Sequence, residues 1–297
     1  MKIVRRYLAG GLAAGALVLI AGALAVSDAD AAQIKKVAEK TFDFAPGGDV
    51  VIRSMNGRIV IEAWDRPQAR VQVTRTVRAP DDAQAEALLK ELKADVEVQP
   101  DRIVIVSRYP KRRETSGFWD FLGRKVASMD IHYYIQVPRQ TSLELETTNG
   151  EIRIRGIAQD IEAGTTNGDV RISGGGRSVD VGTTNGSIEL LGISGTVEGS
   201  TTNGSVRADV GSIGANDAIS LATTNGNVVL TLPAGIKARV EAGTTNGKVT
   251  ASFPITVSGV MSSKSIKGTI GGGGATIALV TTNGNIQILK RGEREQP

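Results

Sequence analysis

The sequence predicts an all-β fold: a single-stranded β-solenoid, parallel β-helix-like and right-handed, fronted by an N-terminal β-rich cap with one short helix. Three observations carry this. The tetrapeptide Thr-Thr-Asn-Gly begins at Thr147, Thr165, Thr183, Thr201, Thr223, Thr244 and Thr281, so three successive steps are 18 residues. Each copy is followed by alternating apolar residues, as in Glu151-Ile152-Arg153-Ile154 and Asp169-Val170-Arg171-Ile172, which is strand periodicity. The chain is poor in aromatics (4%) and holds 36 glycines, a mix suited to short strands and corners.

The N-terminus reads as a secretory signal over residues 1–31. Lys2, Arg5 and Arg6 precede an apolar run from Leu8 to Val26, and Ala29-Asp30-Ala31 fits a cleavage site. An uncleaved anchor is the other reading, because the run approaches the length of a membrane span. Residues 32–141 form the expected cap. Val50-Val51-Ile52 and Arg58-Ile59-Val60-Ile61 flank an early relative of the motif, Ser54-Met55-Asn56-Gly57. A helix is expected over 81–94, with an acidic start and Leu88, Leu89 and Leu92 on one side.

The repeat region spans 142–290. Two strands and two corners in 18 residues make one coil, and identical corners place like residues about 4.8 Å apart. The predicted inward columns are Ile152, Val170, Ile188, Val206, Val228, Val249 and Ile161, Val179, Val197, Ile219, Val240. Asn-Gly reads as a turn whose residues both tolerate positive φ. The long gap before Thr281 reads as two periods with a degenerate copy, at Ser262-Ser263-Lys264-Ser265 or Ser265-Ile266-Lys267-Gly268. Residues 291–297 read as a disordered tail.

With these units in view, the chain resembles a bacterial family known as a domain of unknown function and labelled "putative adhesin". The likeness rests on the serial Thr-x-Asn-Gly-x-Ile-x-Ile units and on Asn56-Gly57, Trp64-Asp65 and Val71-Gln72-Val73. It also rests on Ile135-Gln136-Val137-Pro138-Arg139 and on the glycines Gly271–Gly274 before the last repeat. The resemblance implies an exported β-solenoid and carries over no catalytic residues.

Composition excludes several chemistries. Without cysteine there are no disulfides, thiol nucleophiles or cysteine-metal sites. A single histidine, His132, is read as structural. A net charge of +4 gives no reason to expect nucleic acid. No cofactor or metal is implied, because calcium-binding rolls need Asp in each turn and here only Asp169 follows one.

The candidate binding residues are outward columns. Arg153, Arg171 and Arg207, with Glu189 between, would meet anionic glycan. Glu162, Asp180 and Glu198, continued by Ser220 and Glu241, form an acidic column. The Thr148, Thr166, Thr184, Thr202, Thr224, Thr245 column either bonds rung to rung, the favoured reading, or forms a flat hydroxyl array. Phe118 and Trp119, near Lys111-Arg112-Arg113, cap the stack or dock on a membrane or partner. The expected function is a non-catalytic, adhesive or structural module of the cell envelope, with glycan or an envelope protein as partner. An envelope accessory protein is the runner-up, and a polysaccharide-active enzyme the third reading.

Overall fold

The computed structural model describes residues 23–28, 31–110, 128–258 and 262–292. The cluster Phe118-Trp119 with its basic neighbours, most of the segment read as a signal and the last five residues lie outside them.

In chain order the elements are β1 (Ala23–Asp28), β2 (Ala31–Asp43), β3 (Asp49–Arg53), β4 (Ile59–Trp64) and β5 (Gln68–Ala79). Helix α1 (Asp82–Glu91), β6 (Lys93–Gln99), β7 (Arg102–Arg108) and β8 (Ser128–Pro138) follow. The repeats give pairs: β9 and β10 (Ser142–Asn149, Ile152–Arg155), β11 and β12 (Ile161–Asn167, Val170–Gly175), and β13 and β14 (Ser178–Asn185, Ile188–Ser194). Next come β15 and β16 (Thr196–Asn203, Val206–Ser212), β17 and β18 (Ala218–Asn225, Val228–Leu232), and β19 and β20 (Ala238–Asn246, Val249–Ala251). β21 (Thr256–Val257) and β22 (Ser265–Ile270) precede the last pair, β23 and β24 (Ala275–Asn283, Ile286–Lys290).

The chain alternates between two sheets, as a coil must. Odd-numbered strands from β9 to β19, with β23, stack in parallel in one sheet, and their even partners stack in the other. Each Thr-Thr-Asn-Gly corner links the two strands of a rung. The predicted inward columns are buried: Ile152, Val170, Ile188, Val206 and Val228 are at most 1% exposed. Burying each such side chain stabilises the fold by roughly 1.5–3 kcal/mol, and the rungs share one core cluster from Val50 to Ile288.

The order of rungs departs from a simple solenoid at both ends. The last repeat in sequence, β23/β24, lies between β17/β18 and β19/β20. Ile286 therefore separates Val228 from Val249 in the inward column. The long gap is not a further coil. β22 runs antiparallel to β19, so it ends the parallel ladder on the outside instead of extending it. The chain then passes over the start of β19 through Gly271–Gly274, all at positive φ. A Cβ on Gly274 would lie 2.5 Å from the Lys237 carbonyl oxygen, so this arch is glycine because it crosses another strand at close range.

The front end uses the same device. β3 and β4 pair with β9 and β10, and β7 and β8 lie outside them. The segment expected to cap the stack thus supplies two of its rungs, and the sheets run unbroken past residue 141. Among the described residues nine rungs give a stack of about 38 Å, eight steps of ~4.8 Å. β5 and β2 extend one sheet antiparallel from β8, and β6 borders the other. Helix α1 is shorter than expected. Asp81 caps it by accepting the Gln84 N–H at 2.7 Å, and Ala85 and Leu89 are its buried face.

Candidate functional site

The corner is built by three hydrogen-bond ladders. The first Thr of each motif points inward, and its hydroxyl donates to a backbone carbonyl of the neighbouring rung: that of Met55 for Thr147, and a motif glycine for the other six, as Thr201 to Gly186 at 2.9 Å and Thr223 to Gly204 at 2.8 Å. The Asn amides form an unbroken one-way chain. Asn246 donates to Asn283, Asn283 to Asn225, and so on through Asn203, Asn185, Asn167 and Asn149 to Asn56, at 2.7–2.9 Å. The Tyr109 hydroxyl closes the Asn56 end by donating to its carbonyl at 2.6 Å and accepting its N–H at 3.0 Å. The residue after Gly forms the third ladder, its side-chain oxygen accepting the next rung's N–H, as Asp169 does from Ser187 at 2.7 Å.

Two expectations change here. No Asn is at positive φ. The motif glycine does take positive φ, as at Gly186, but it is also required by stacking: a Cβ on Gly186 would sit 2.0 Å from the Gly168 carbonyl oxygen. The column Thr148, Thr166, Thr184, Thr202, Thr224 and Thr245 does not bond rung to rung. These second threonines are exposed, and Thr282 falls between Thr224 and Thr245. Rung bonding belongs to their inward neighbours, because side chains alternate along a strand.

The ladder invites a specific test. In Asn185→Asp the Asn167 oxygen meets a carboxylate oxygen instead of an amide donor. The carboxyl can donate only when protonated, so folding raises its pKa and the variant is least stable above that pKa. A deficit of about 1 kcal/mol at pH 7 is expected to shrink near pH 4. Denaturant midpoints at the two pH values check this, and equal deficits contradict it.

The charged columns lie on opposite outer faces. Arg153, Arg171, Glu189 and Arg207 share one sheet in register. They are not a free cationic ladder. Arg153 pairs with Glu151, Arg171 pairs with Glu189, and Arg207 is also engaged. Glu162, Asp180 and Glu198 are in register on the other sheet, preceded by Glu144. Glu144 is held by Arg53 at 2.7 Å. Among the described residues no cation bridges Glu162, Asp180 or Glu198.

Burial first, then the charges of Glu144, Asp180 and Glu146, raise the Glu162 pKa. A raised carboxyl pKa means that the ionised form weakens the fold above that pKa, and the cost vanishes below the unfolded value. Glu162→Gln is therefore expected to add up to about 1 kcal/mol at pH 7 in low salt, and nothing near pH 3. An equal gain at both pH values would exclude the charge as its cause.

Between the acidic column and the exposed threonines runs a third outward column: Glu146, Gly164, Gly182, Ser200, Ala222, Val280 and Gly243. A Cβ on Gly164 or Gly243 would meet nothing within 4 Å, so packing does not demand small residues there. The result is a shallow, open strip beside seven threonines. Sequence reasoning named the threonines but not this strip; the period-two spacing of Gly164 from Glu162 and Thr166 was its only signal. His132 accepts the Arg58 N–H on Nδ1 at 3.0 Å, which ties two rungs together.

These features define a two-sheet, corner-stapled β-repeat. A family model described as Toastrack DUF4097 matches residues 112–289, and the chain belongs to that family. No curated protein matches it. Among solved structures, a "putative adhesin" from Bacteroides fragilis is 14% identical, with 86% of this chain and 97% of that one covered and a TM-score of 0.39. A "putative cell adhesion protein" from Clostridium sporogenes is 12% identical over 86% and 100% of the two chains, with a TM-score of 0.38. A "putative lipid binding protein" from Parabacteroides distasonis is 10% identical over 86% and 95%, with a TM-score of 0.22. Likeness at this level does not bear on what the present chain binds.

Proposed function

We propose that the chain is an exported, non-catalytic binding module of the cell envelope, adhesive in kind, built as a right-handed β-solenoid. One observation carries the binding reading. Seven threonines are exposed, make no rung-to-rung bond, and yet recur in all seven Thr-Thr-Asn-Gly copies, with Met55 at the same position of the early relative. Other outward columns vary, such as the one reading Arg, Arg, Glu, Arg from Arg153 to Arg207. A flat hydroxyl column beside an open strip suits a repetitive, hydroxyl-rich partner such as an envelope glycan. The Arg153 and Arg171 guanidiniums are already held by Glu151 and Glu189, which supports the non-catalytic part of the reading. The apolar N-terminal run and small-residue cleavage site support export.

The test combines location with binding. Cells expressing the full chain are fractionated and intact cells are treated with protease. Separately, purified protein is co-sedimented with isolated cell-wall sacculi. Surface exposure, and sedimentation lost in Thr166→Lys/Thr184→Lys/Thr202→Lys with an unchanged melting profile, are the expected results. Cytoplasmic retention would overturn export. Periplasmic confinement would favour an accessory protein over an adhesin. Sedimentation unchanged in the triple variant would remove the threonine column from the binding surface.

A further inference from the structure

The eight Asn-Gly pairs form an internal control for a chemical step. The backbone nitrogen of a glycine can attack the side-chain carbonyl carbon of the preceding asparagine. A C–N bond forms, ammonia leaves with the amide nitrogen, and water then opens the succinimide to aspartate or isoaspartate. The attack needs the Asn-Gly peptide plane to turn and the glycine N–H to give up its proton. A hydrogen bond from that N–H resists both.

Seven of the eight glycines are held in this way. Gly57, Gly150, Gly168, Gly186, Gly204, Gly226 and Gly284 each donate N–H to the asparagine carbonyl of the next rung, at 2.8–3.0 Å. Their asparagines also accept a neighbour's amide on Oδ1. The exception is Asn246-Gly247. It sits on the outermost rung because the last repeat inserts inside it. Among the described residues the Gly247 N–H has no such acceptor, and the Asn246 Oδ1 accepts from no neighbouring asparagine. The strand that follows, β20, is three residues long and has one strand partner among the described residues, with one further bond from the Val249 N–H to the Ser263 carbonyl at 2.8 Å. Outer elements with few partners open most often.

We propose that Asn246 is the site of spontaneous deamidation in this protein, through a succinimide with Gly247, and that the other seven pairs are protected by the stack. The product places a carboxylate against the Asn283 oxygen that Asn246 now serves as donor. The change therefore loosens the outer rung and leaves the inner ones intact.

The folded full chain is incubated at mildly alkaline pH and mapped by peptide mass spectrometry over time. A parallel sample is held in denaturant. Conversion at Asn246 is expected at least about ten-fold faster than at any other pair when folded, with the motif copies converting at similar rates when unfolded. Equal rates in the folded chain, or an inner pair leading, would overturn the proposal. So would an equal lead for Asn246 in denaturant, because local sequence would then explain it. Amide hydrogen exchange over residues 238–251 should rise with the converted fraction, and the Asn246→Gln variant should show neither change.

Discussion

Gly186→Ala is expected to cost about 3 kcal/mol or more, read as a fall in the denaturant midpoint and as lost amide protection on both sides of the corner. Gly186 lies mid-stack, and its added methyl would stand 2.0 Å from the Gly168 carbonyl oxygen and 2.5 Å from its carbon. Both are backbone atoms, so no side chain can swing away. Relief requires the rungs to part, which breaks the Gly168 N–H bond to the Asn185 carbonyl at 2.9 Å and the Thr183 bond to the Gly168 carbonyl at 3.0 Å. Gly164→Ala, on the same face of the stack, meets nothing within 4 Å and is expected to be nearly neutral. If the two alanines cost the same, close approach is not what the motif glycine provides.

Removal of residues 275–297 is expected to have the largest effect of all. In a solenoid stacked in chain order this deletion would peel off an end. Here it extracts an inner rung. Ile277, Leu279, Ile286 and Ile288 are all fully buried, and at roughly 1.5–3 kcal/mol each their loss rivals the stability of a whole domain. β19 loses its parallel partner, and β20 loses β24, its one strand partner among the described residues. Limited proteolysis and hydrogen exchange should therefore show residues 238–251 unprotected in the truncated chain, although every one of them is still present. Protection persisting over 238–251, with loss confined to the cut end, would contradict the observed order.

Much of this architecture is legible in the sequence because period-two patterning reports burial directly. Ile152, Val170 and Ile188 fall in one buried column as their spacing requires. The equal steps of the motif also foretold register, down to the pairing of Asn167 with Asn185. Other features were not legible, for physical reasons. Two adjacent threonines cannot be assigned inward and outward faces from the tetrapeptide alone. Here Thr165 is buried and Thr166 exposed because Ile161 and Ala163 set the parity of the strand. The glycine's positive φ, as at Gly186, was legible from Asn-Gly, but its second constraint was not, because that lies 18 residues away in the carbonyl of the neighbouring rung.

Rung order was the least legible feature. Copies with the same corner and the same inward residues fit next to one another in any order. Only the antiparallel β22 and the glycine arch at 271–274 force the exchange, and neither resembles a repeat. The charged columns show a related limit: spacing placed Arg171 and Glu189 in one column, but their pairing depends on side-chain reach.

The exchanged order is tested most directly by cysteine pairs, since the chain has no cysteine of its own. Val280 pairs with Ala222 on one side and Gly243 on the other. Ala222 and Gly243 are then two rungs apart, about 9.6 Å at ~4.8 Å per step, beyond the ~7 Å that a disulfide spans. Mild oxidation of the folded double variants should cross-link Ala222→Cys with Val280→Cys, and Gly243→Cys with Val280→Cys, but not Ala222→Cys with Gly243→Cys. A disulfide between positions 222 and 243, with none between 222 and 280, would show that the rungs stack in chain order and that the account is wrong.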